Sequence, residues 1–216
     1  MKIKVLYEDT NILAIEKPSG VLVDEIAKKY PNFILAHRLD RETSGVMLLA
    51  KNNKAYEFLK GQFVNRTIKK VYNALVSGNM KNDRGVINKP IGRSPKDFRR
   101  YLSGRGARGE MREAITEYKV LKRFTSPRPS PYEREGEKFT FLEVKPKTGR
   151  THQIRVHMKY LNHPIVGDNL YNPKGSCPKG LKRMGLHALS IEFKNLKGET
   201  IKVDSPLPLA FKKVIK

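Results

Sequence analysis

The nine residues His37–Gly45, HRLDRETSG, form a polar, multiply charged segment between two apolar stretches of the chain. Residues 33–36 precede it, and a run that predicts a buried strand follows it. Polar segments between strands usually lie in surface loops, where a rigid sheet positions reactive groups. Asp40 is the carboxylate with arginines on both sides, Arg38 and Arg41. Cationic neighbours keep a carboxylate ionised as a nucleophile or base, although this spacing alone favours a loop aspartate in surface salt bridges.

The patterns around this segment predict sheet more often than helix. Alternating or continuous apolar residues predict strands at residues 3–7, 11–15, 46–50, 71–76, 116–121, 139–145, 189–193 and 201–203. Helical spacing is found at residues 53–64 and 151–161. We expect Asn52 or Asn53 to cap the first helix. The second helix is expected to present a basic face that carries His152, Arg155 and Lys159.

The charge of the chain indicates a polyanionic partner. Forty-four Lys and Arg residues against 21 Asp and Glu give a formal net charge of +23, which predicts binding to RNA or DNA. Residues 92–112 hold seven of these cations and predict a flexible basic loop or a long hairpin that follows a phosphate backbone. An ordinary solvated loop is the alternative. The proline-rich residues 125–137 predict a projecting or disordered hairpin tip, to which we assign no function.

Several classes of protein and site are not expected. A single cysteine, Cys177, excludes an internal disulfide and a multi-cysteine zinc site. His152 and His157 lie about 140° apart around a helix, so they do not share a metal ion. We find no phosphate-binding or dinucleotide-binding motif and expect no cofactor. The absence of a signal peptide and of an apolar run of ~20 residues predicts a cytoplasmic protein, and self-repulsion favours a monomer.

The segment HRLDRETSG resembles the signature loop of the RluA-type pseudouridine synthases, H-R-L-D-x-x-T-S-G, and matches it completely. His37 at its first position distinguishes it from the related RsuA-type loops, which more often begin with glycine. Further resemblances follow in the family's order along almost the whole chain: KKVYNALVSG at 69–78, GRTHQIRVH at 149–157 and HPIVGDNLY at 163–171, with weaker matches in EKPSG at 16–20, KPIGR at 89–93 and LHALSIEF at 186–193.

The resemblance implies a fold and a reaction. The fold would be α+β, with a long mixed, mainly antiparallel sheet bent into two sub-lobes and flanking helices. Asp40 would act at the ribose while the N1 glycosidic bond breaks, and the uracil would then rejoin the sugar through C5. Whether Asp40 bonds to C1′ or promotes a glycal route stays open. The reaction is redox-neutral and loses no atoms, which is consistent with the absence of a cofactor.

The resemblance also implies roles for other residues. Tyr72 corresponds to an active-site tyrosine that stacks on the target base and is a candidate to remove the C5 proton; without the motif it would be a core tyrosine. Arg155 matches the basic residue that pairs with the aspartate, and without the motif it would be a helix-surface arginine. Arg38 would fill the gap left by the extruded uridine. Further RNA contacts are expected from His37, Lys70, Arg150, His152 and Leu189, the last as part of an apolar wall or as a plain core residue.

The family's small N-terminal RNA-binding domain is not expected, so residues 1–216 would form one catalytic domain that selects its target chiefly through residues 92–112. The RNA would be ribosomal or transfer RNA. Two rival functions stay open. One is a catalytically inert RNA-binding or ribosome-assembly protein on the same scaffold, and the other is an RNA N-glycosidase, which would release free uracil.

Overall fold

The computed structural model describes residues 3–104, 106–126 and 136–215. The elements of this part of the chain are, in order, β1 (Lys4–Glu8), β2 (Ile12–Lys17), α1 (Val23–Lys29), β3 (Ile34–Leu35), β4 (Ser44–Ala50), α2 (Asn53–Val64), β5 (Lys69–Ser77), β6 (Arg84–Asn88), β7 (Ile91–Arg93), β8 (Tyr101–Ser103), β9 (Arg108–Arg112), β10 (Ile115–Thr125), β11 (Lys138–Pro146), α3 (Gln153–Tyr160), β12 (Leu186–Lys194), β13 (Thr200–Asp204) and α4 (Leu209–Val214). Packing divides the chain into two compact units. The first contains Met1–Tyr72 and His187–Leu207, and the second contains Asn73–Leu186 and Pro208–Lys216.

The sheet of the first unit is built around β4. Its strands follow the order β1, β2, β4, β12, β13, and β3 also pairs with β4. The pairing of β2 with β4 is antiparallel and sets Lys17 opposite Gly45. The pairing of β12 with β4 is parallel and sets His187 opposite Ser44 and Ala188 opposite Gly45. The register therefore brings Lys17, Gly45 and Ala188 side by side where the segment HRLDRETSG enters β4.

The core of the first unit consists of continuous apolar runs. Residues 12–15 and 46–50 are 0–2% exposed, which is the pattern of strands covered on both faces. Helix α2 packs against β4 and buries Ala55 and Leu59. Burial of a side chain such as Leu59 contributes roughly 1.5–3 kcal/mol. The predicted cap of α2 is confirmed, because the Asn52 side chain accepts a hydrogen bond from the Ala55 N–H at 2.9 Å.

The larger sheet of the second unit is the predicted antiparallel meander. Its strands follow the order β5, β11, β10, β6, and the ladders of β10 with β11 and with β6 are antiparallel. Helix α3 contacts β10 and β11, and its residues Ile154, Val156 and Met158 are 0–6% exposed, with Val156 packed in a cluster with Ile91, Ala114 and Tyr171. A helix that covers one face of an antiparallel meander is an α+β arrangement, so the predicted fold class is confirmed.

The predicted basic segment 92–112 contributes a second sheet in this unit. Strands β8, β7 and β9 form a three-stranded antiparallel sheet with β7 in the middle. The segment is thus an ordered hairpin rather than an unstructured loop, within residues 91–104 and 106–112. Of the proline-rich segment 125–137, residues 127–135 lie outside the described residues.

The structure differs from the sequence predictions mainly in its helices. The short helices α1 and α4 were not predicted, since neither has more than seven residues and neither carries a repeated apolar stripe. Helix α3 begins at Gln153 rather than Thr151, because His152 has the left-handed backbone angle φ 56°. The predicted basic face of this helix is wrong: Arg155 is 7% exposed and therefore belongs to the interior. Among residues 3–104, 106–126 and 136–215, no helix has the length and apolarity needed to cross a bilayer.

Candidate active site

Asp40 lies at the start of a tight turn that leads into β4. The Thr43 N–H donates to the Asp40 carbonyl oxygen at 3.1 Å, which closes the turn over residues 40–43. Leu39 is 5% exposed and Thr43 is 2% exposed, whereas Asp40 is half-buried. The turn is thus fixed by a buried residue on each side, with the half-buried Asp40 between them.

The segment EKPSG clamps this turn from the end of β2. Lys17 is fully buried, and its ammonium donates to the carbonyl oxygens of Pro18, Val21 and Arg41 at 2.8–2.9 Å. The Gly20 N–H also donates to the Arg41 carbonyl, at 2.9 Å, and the Ser19 hydroxyl donates to the Glu42 carbonyl at 2.7 Å. Hydrogen bonds from a buried cation are stronger than neutral ones, so Lys17 is the main anchor of the Asp40 turn.

His37 holds the other side of the segment as a neutral acceptor. Its Nε2 atom accepts the Leu48 N–H at 3.0 Å, and its ring lies 4.9 Å from that of Phe63. Burial and the nearby charge of Lys70 lower the pKa of His37 to about 4. An imidazole that stays neutral at pH 7 keeps the lone pair that this hydrogen bond needs. The structure thus gives His37 an anchoring position, and its contact with RNA stays a prediction.

The last residues of the segment are fixed by contact with β12. The Ser44 hydroxyl lies 2.7 Å from Nδ1 of His187, whose Nε2 lies 3.2 Å from the Ser205 carbonyl oxygen. Because that carbonyl can only accept, a neutral His187 ring donates from Nε2 and accepts the Ser44 hydroxyl at Nδ1. Gly45 has φ +117°, and a Cβ atom there would meet the Ala188 carbonyl oxygen at 2.1 Å. Only glycine fits between the two strands at this position.

The two arginines near Asp40 differ in their surroundings. Arg41 donates from Nε to the Gly20 carbonyl oxygen at 3.0 Å and lies 3.7 Å from the Glu42 carboxylate. It therefore helps the EKPSG clamp to hold the turn. Arg38 is exposed, which is the placement that a side chain needs in order to enter an RNA stack. Its gap-filling role stays a prediction.

Tyr72 belongs to the same unit as Asp40, and the charge of that carboxylate affects the pKa of the tyrosine. Burial and the negative charge of Asp40 both raise the pKa of Tyr72 well above its usual range. Its side chain also packs against the apolar core of this unit, so the tyrosine is a core residue and a neighbour of Asp40 at the same time. At neutral pH it is an un-ionised phenol, which can stack on a base and donate a hydrogen bond.

Two further predicted RNA contacts belong to the first unit, which also includes the first four residues of β5. Lys70 is half-buried on β5 two residues before Tyr72, so the two side chains point to the same side of the strand. Burial lowers the pKa of Lys70 to about 8, which makes part of its charge removable near physiological pH. Leu189 is half-buried on β12, a position consistent with an apolar wall or with a plain core residue.

Arg155 lies in the second unit, where a carboxylate that the sequence analysis did not single out fixes its guanidinium. Its Nε donates to Oδ2 of Asp168 at 2.7 Å and one Nη donates to Oδ1 at 2.9 Å. The side chains are 8% and 0% exposed, so this bidentate pair is buried. Oδ1 of Asp168 also accepts the N–H groups of Leu170 and Tyr171, and the guanidinium lies 5.0 Å from the centre of the Tyr171 ring. The plane of Arg155 is therefore set by two neighbours at once.

The residues before Arg155 form a saturated hydrogen-bond network. Gln153 accepts from the Thr148 hydroxyl and the Arg150 N–H, and it donates to the Ile115 carbonyl and the Thr116 hydroxyl, all at 2.7–3.0 Å. Nε of Arg150 donates to the Glu113 carbonyl oxygen at 2.9 Å. Satisfied buried networks of this kind specify a single local geometry. They fix the start of α3 and with it the position of Arg155.

His152 also takes part in the structure of the second unit. Its Nδ1 lies 3.0 Å from the Tyr171 hydroxyl, which accepts the N–H of Tyr101 at 2.9 Å. These two contacts of the Tyr171 hydroxyl link β8 of the small sheet to the start of α3. The RNA contacts predicted for Arg150 and His152 stay predictions. Within the described ranges, no group of three or more His, Cys, Asp or Glu residues is arranged to hold a metal ion.

Comparison with known proteins identifies the family to which the chain belongs. The model of a family described as RNA pseudouridylate synthase matches residues 11–160 of the chain, a range that includes Asp40, Tyr72 and Arg155. The chain belongs to this family. Within it, the RluA-type resemblance is confirmed by relatives named ribosomal large subunit pseudouridine synthase D.

Sequence similarity to several relatives extends over most of the chain. An uncharacterised RNA pseudouridine synthase of Aquifex aeolicus is 40% identical over 83% of this chain, and the chain spans 59% of that protein's length. Ribosomal large subunit pseudouridine synthase D of Borreliella burgdorferi is 36% identical over 97% of this chain, which spans 66% of that protein. Among solved structures, human RNA pseudouridylate synthase domain containing 1 superimposes with a TM-score of 0.81 at 28% identity, over 96% of this chain and 84% of the other.

Proposed function

We propose that this family member isomerises uridine to pseudouridine in RNA, with Asp40 as its catalytic carboxylate. The observation that carries the proposal is the complete HRLDRETSG turn, which hydrogen bonds from Lys17 and Gly20 to the Arg41 carbonyl and from Ser19 to the Glu42 carbonyl hold, with Asp40 half-buried. A turn fixed in this way presents a carboxylate in one orientation, and orientation is a main source of rate enhancement.

The reaction conserves atoms and electrons. The C1′–N1 bond breaks with the participation of the Asp40 carboxylate at the sugar, the uracil turns, and a C1′–C5 bond forms. The proton leaves C5, and N1 carries a proton in the product. Tyr72 is the proposed group beside the base. Because its pKa is raised, it enters the reaction as a neutral phenol. Its proton would go to N1, and the phenolate so formed would take the proton from C5, which leaves the tyrosine as it began.

Arg155 is the proposed cationic partner of Asp40, as the family resemblance implies. Support for this role comes from its own surroundings, because Asp168 and Tyr171 keep the guanidinium in one plane and in a buried, low-dielectric site. A pre-oriented cation stabilises an ionised carboxylate without further reorganisation. Its loss is therefore expected to impair the reaction more than it impairs the binding of RNA.

The proposed substrate is ribosomal RNA of the large subunit. This choice rests on the names of the two relatives given above, and transfer RNA is the second candidate. The proposed partner is thus RNA alone, with no metal or organic cofactor, and a monomeric cytoplasmic enzyme remains our prediction.

The test is carbodiimide labelling of in-vitro transcribed ribosomal and transfer RNA after incubation with the purified chain. We expect pseudouridine with the wild type and none with Asp40→Asn, which keeps the size of the side chain. Asp83→Asn is the matched control, because that aspartate pairs on the surface with Arg123. Free uracil in the reaction would identify an N-glycosidase. RNA bound but unmodified by the wild type would identify the inert scaffold and overturn the proposal.

A further inference from the structure

Residues 94–100 form a closed loop at the end of the small sheet, between β7 and β8. The Ser94 N–H donates to the Arg100 carbonyl oxygen at 3.0 Å, and the Arg100 N–H donates to the Asp97 carbonyl at 2.9 Å. The Ser94 hydroxyl accepts the N–H groups of Lys96 and Asp97 at 3.3 and 3.4 Å. The loop is therefore ordered by its own backbone.

Phe98 projects from this loop into solvent. It is 79% exposed, more than any other large apolar side chain in the described part of the chain. Such exposure is unfavourable, since each Å² of apolar surface left in water forfeits roughly 25 cal/mol. An aromatic side chain held out by an ordered loop is suited to a ligand that covers it.

The charges around Phe98 select the kind of ligand. Lys96, Arg99 and Arg100 lie within two residues of it, and Asp97 is engaged by Arg99 at 2.9 Å and approached by Arg100 at 3.7 Å. The adjoining strands β7 and β9 also carry more cations than anions: three arginines, Arg93, Arg108 and Arg112, and one acidic residue, Glu110. Single-stranded nucleic acids bind to surfaces that combine cations for the phosphates with aromatic rings for the bases.

We propose that Phe98 stacks on an unpaired base of the RNA substrate, while the cations of its loop bind the flanking phosphates. The inference rests on the proposed function only in taking RNA as the ligand. It assigns Phe98 to substrate recognition, at a base other than the uridine that reacts at Asp40. It also predicts a preference for RNA with an unpaired nucleotide over a perfect duplex.

The direct test uses the absence of tryptophan from the sequence. Phe98→Trp introduces a single indole, whose fluorescence a stacked base quenches. Combined with Asp40→Asn to prevent chemistry, this variant is titrated with a roughly 12-nucleotide single-stranded RNA and with the same sequence as a duplex. We expect quenching by the single strand at lower concentration than by the duplex. Leu209→Trp, at another exposed apolar position, is the control and is expected to respond little.

Affinities separate stacking from charge. Phe98→Ala is expected to weaken binding of the single strand about 5- to 150-fold, the range measured for loss of one stacked base. Phe98→Tyr is expected to keep the affinity within about twofold and Phe98→Leu to lose most of it, because only an aromatic ring stacks. Lys96→Ala is expected to reduce the slope of log Kd against log salt, whereas Phe98→Ala shifts the line without changing its slope.

Several results would overturn the proposal. Full affinity in Phe98→Ala, or in Phe98→Leu, would show that no base stacks on the ring. A fluorescence change that grows with protein concentration in the absence of RNA would show that the ring contacts a second copy of the chain. Quenching without any pseudouridine formation by the wild type would refute the proposed function alone, whereas pseudouridine formation unaffected by Phe98→Ala, together with unchanged affinity, would refute the role of Phe98 alone.

Discussion

Replacement of Asp168 by asparagine isolates the buried ion pair with Arg155. Asparagine keeps one oxygen, which can still accept the N–H groups of Leu170 and Tyr171 that Oδ1 accepts now. The other oxygen becomes an NH₂ group that faces Nε of Arg155, where a 2.7 Å hydrogen bond is lost and two donors oppose each other. The guanidinium stays buried and loses the Asp168 carboxylate as a partner.

The size of the effect follows from that burial. Removal of one partner of a buried pair costs about 3–5 kcal/mol. For a chain of this length, each kcal/mol lowers Tm by about 2–4 °C, so Asp168→Asn is expected to lower Tm by roughly 6–20 °C. The control is Asp83→Asn, which breaks an Arg–Asp pair of similar length, 2.6 Å, whose side chains are 33% and 78% exposed. Loss of such a surface pair costs about 0–1 kcal/mol.

Thermal unfolding followed by circular dichroism measures both variants in one buffer. A double variant, Asp168→Asn with Arg155→Met, also removes the buried cation that Asp168 pairs with, and it is expected to recover part of the lost stability. The reasoning is refuted if Asp168→Asn unfolds within about 2 °C of Asp83→Asn, since the pair would then contribute no more than a surface contact.

Three further perturbations test the Asp40 turn and its surroundings. Lys17→Met removes the ammonium that binds the Arg41 carbonyl and so holds the turn. We expect kcat for pseudouridine formation to fall about 10²-fold while the Kd for RNA changes little. An unchanged kcat would show that Lys17 does not position Asp40. His37, with its pKa lowered to about 4, takes up a proton in the unfolded chain from about pH 6.5 downward but resists protonation when folded. The free energy of unfolding is therefore expected to be highest above pH 6.5 and to fall as the pH drops towards 4. In His37→Gln, Tm should depend less steeply on pH over this range. Part of the dependence should remain, because the pKa of His157 is lowered too. Lys70, with a pKa of about 8, loses its charge as the pH rises through that value, so RNA affinity in filter binding should decline from pH 7 to 9, and Lys70→Arg should remove the decline. Parallel pH profiles of Lys70→Arg and the wild type would show that Lys70 does not contact RNA.

The strands could be predicted from the sequence because their apolar patterns agree with the sheet. The predicted strands at residues 46–50 and 139–145 lie within β4 and β11, where local preference and burial point to the same structure. The predicted helix at residues 53–64 has those bounds in the structure, since an asparagine cap and an apolar stripe both mark it.

The surroundings of the site were less predictable because they depend on contacts between distant residues. Lys17 ends an apolar strand, and its charge gave no sign that three backbone carbonyls would enclose it. The signal that could have identified it was the position of EKPSG among the matching motifs. Arg155 was placed on a basic helical face because helical spacing does not show which face is buried. Its partner Asp168 lies 13 residues away in a loop, and a single acidic residue there gave no indication that it pairs with Arg155.

The closure of residues 94–100 by their own backbone has a consequence for how this chain can change. Ser94 and Arg100 join through main-chain atoms, so the side chains between them can vary while the neighbouring strands keep their pairing. Residues 95–99 can therefore be substituted without loss of the backbone hydrogen bond that closes the loop. Under the proposed contact of Phe98 with RNA, substitutions in this short stretch would change which RNA is bound and leave the pairing of β7 with β8 intact.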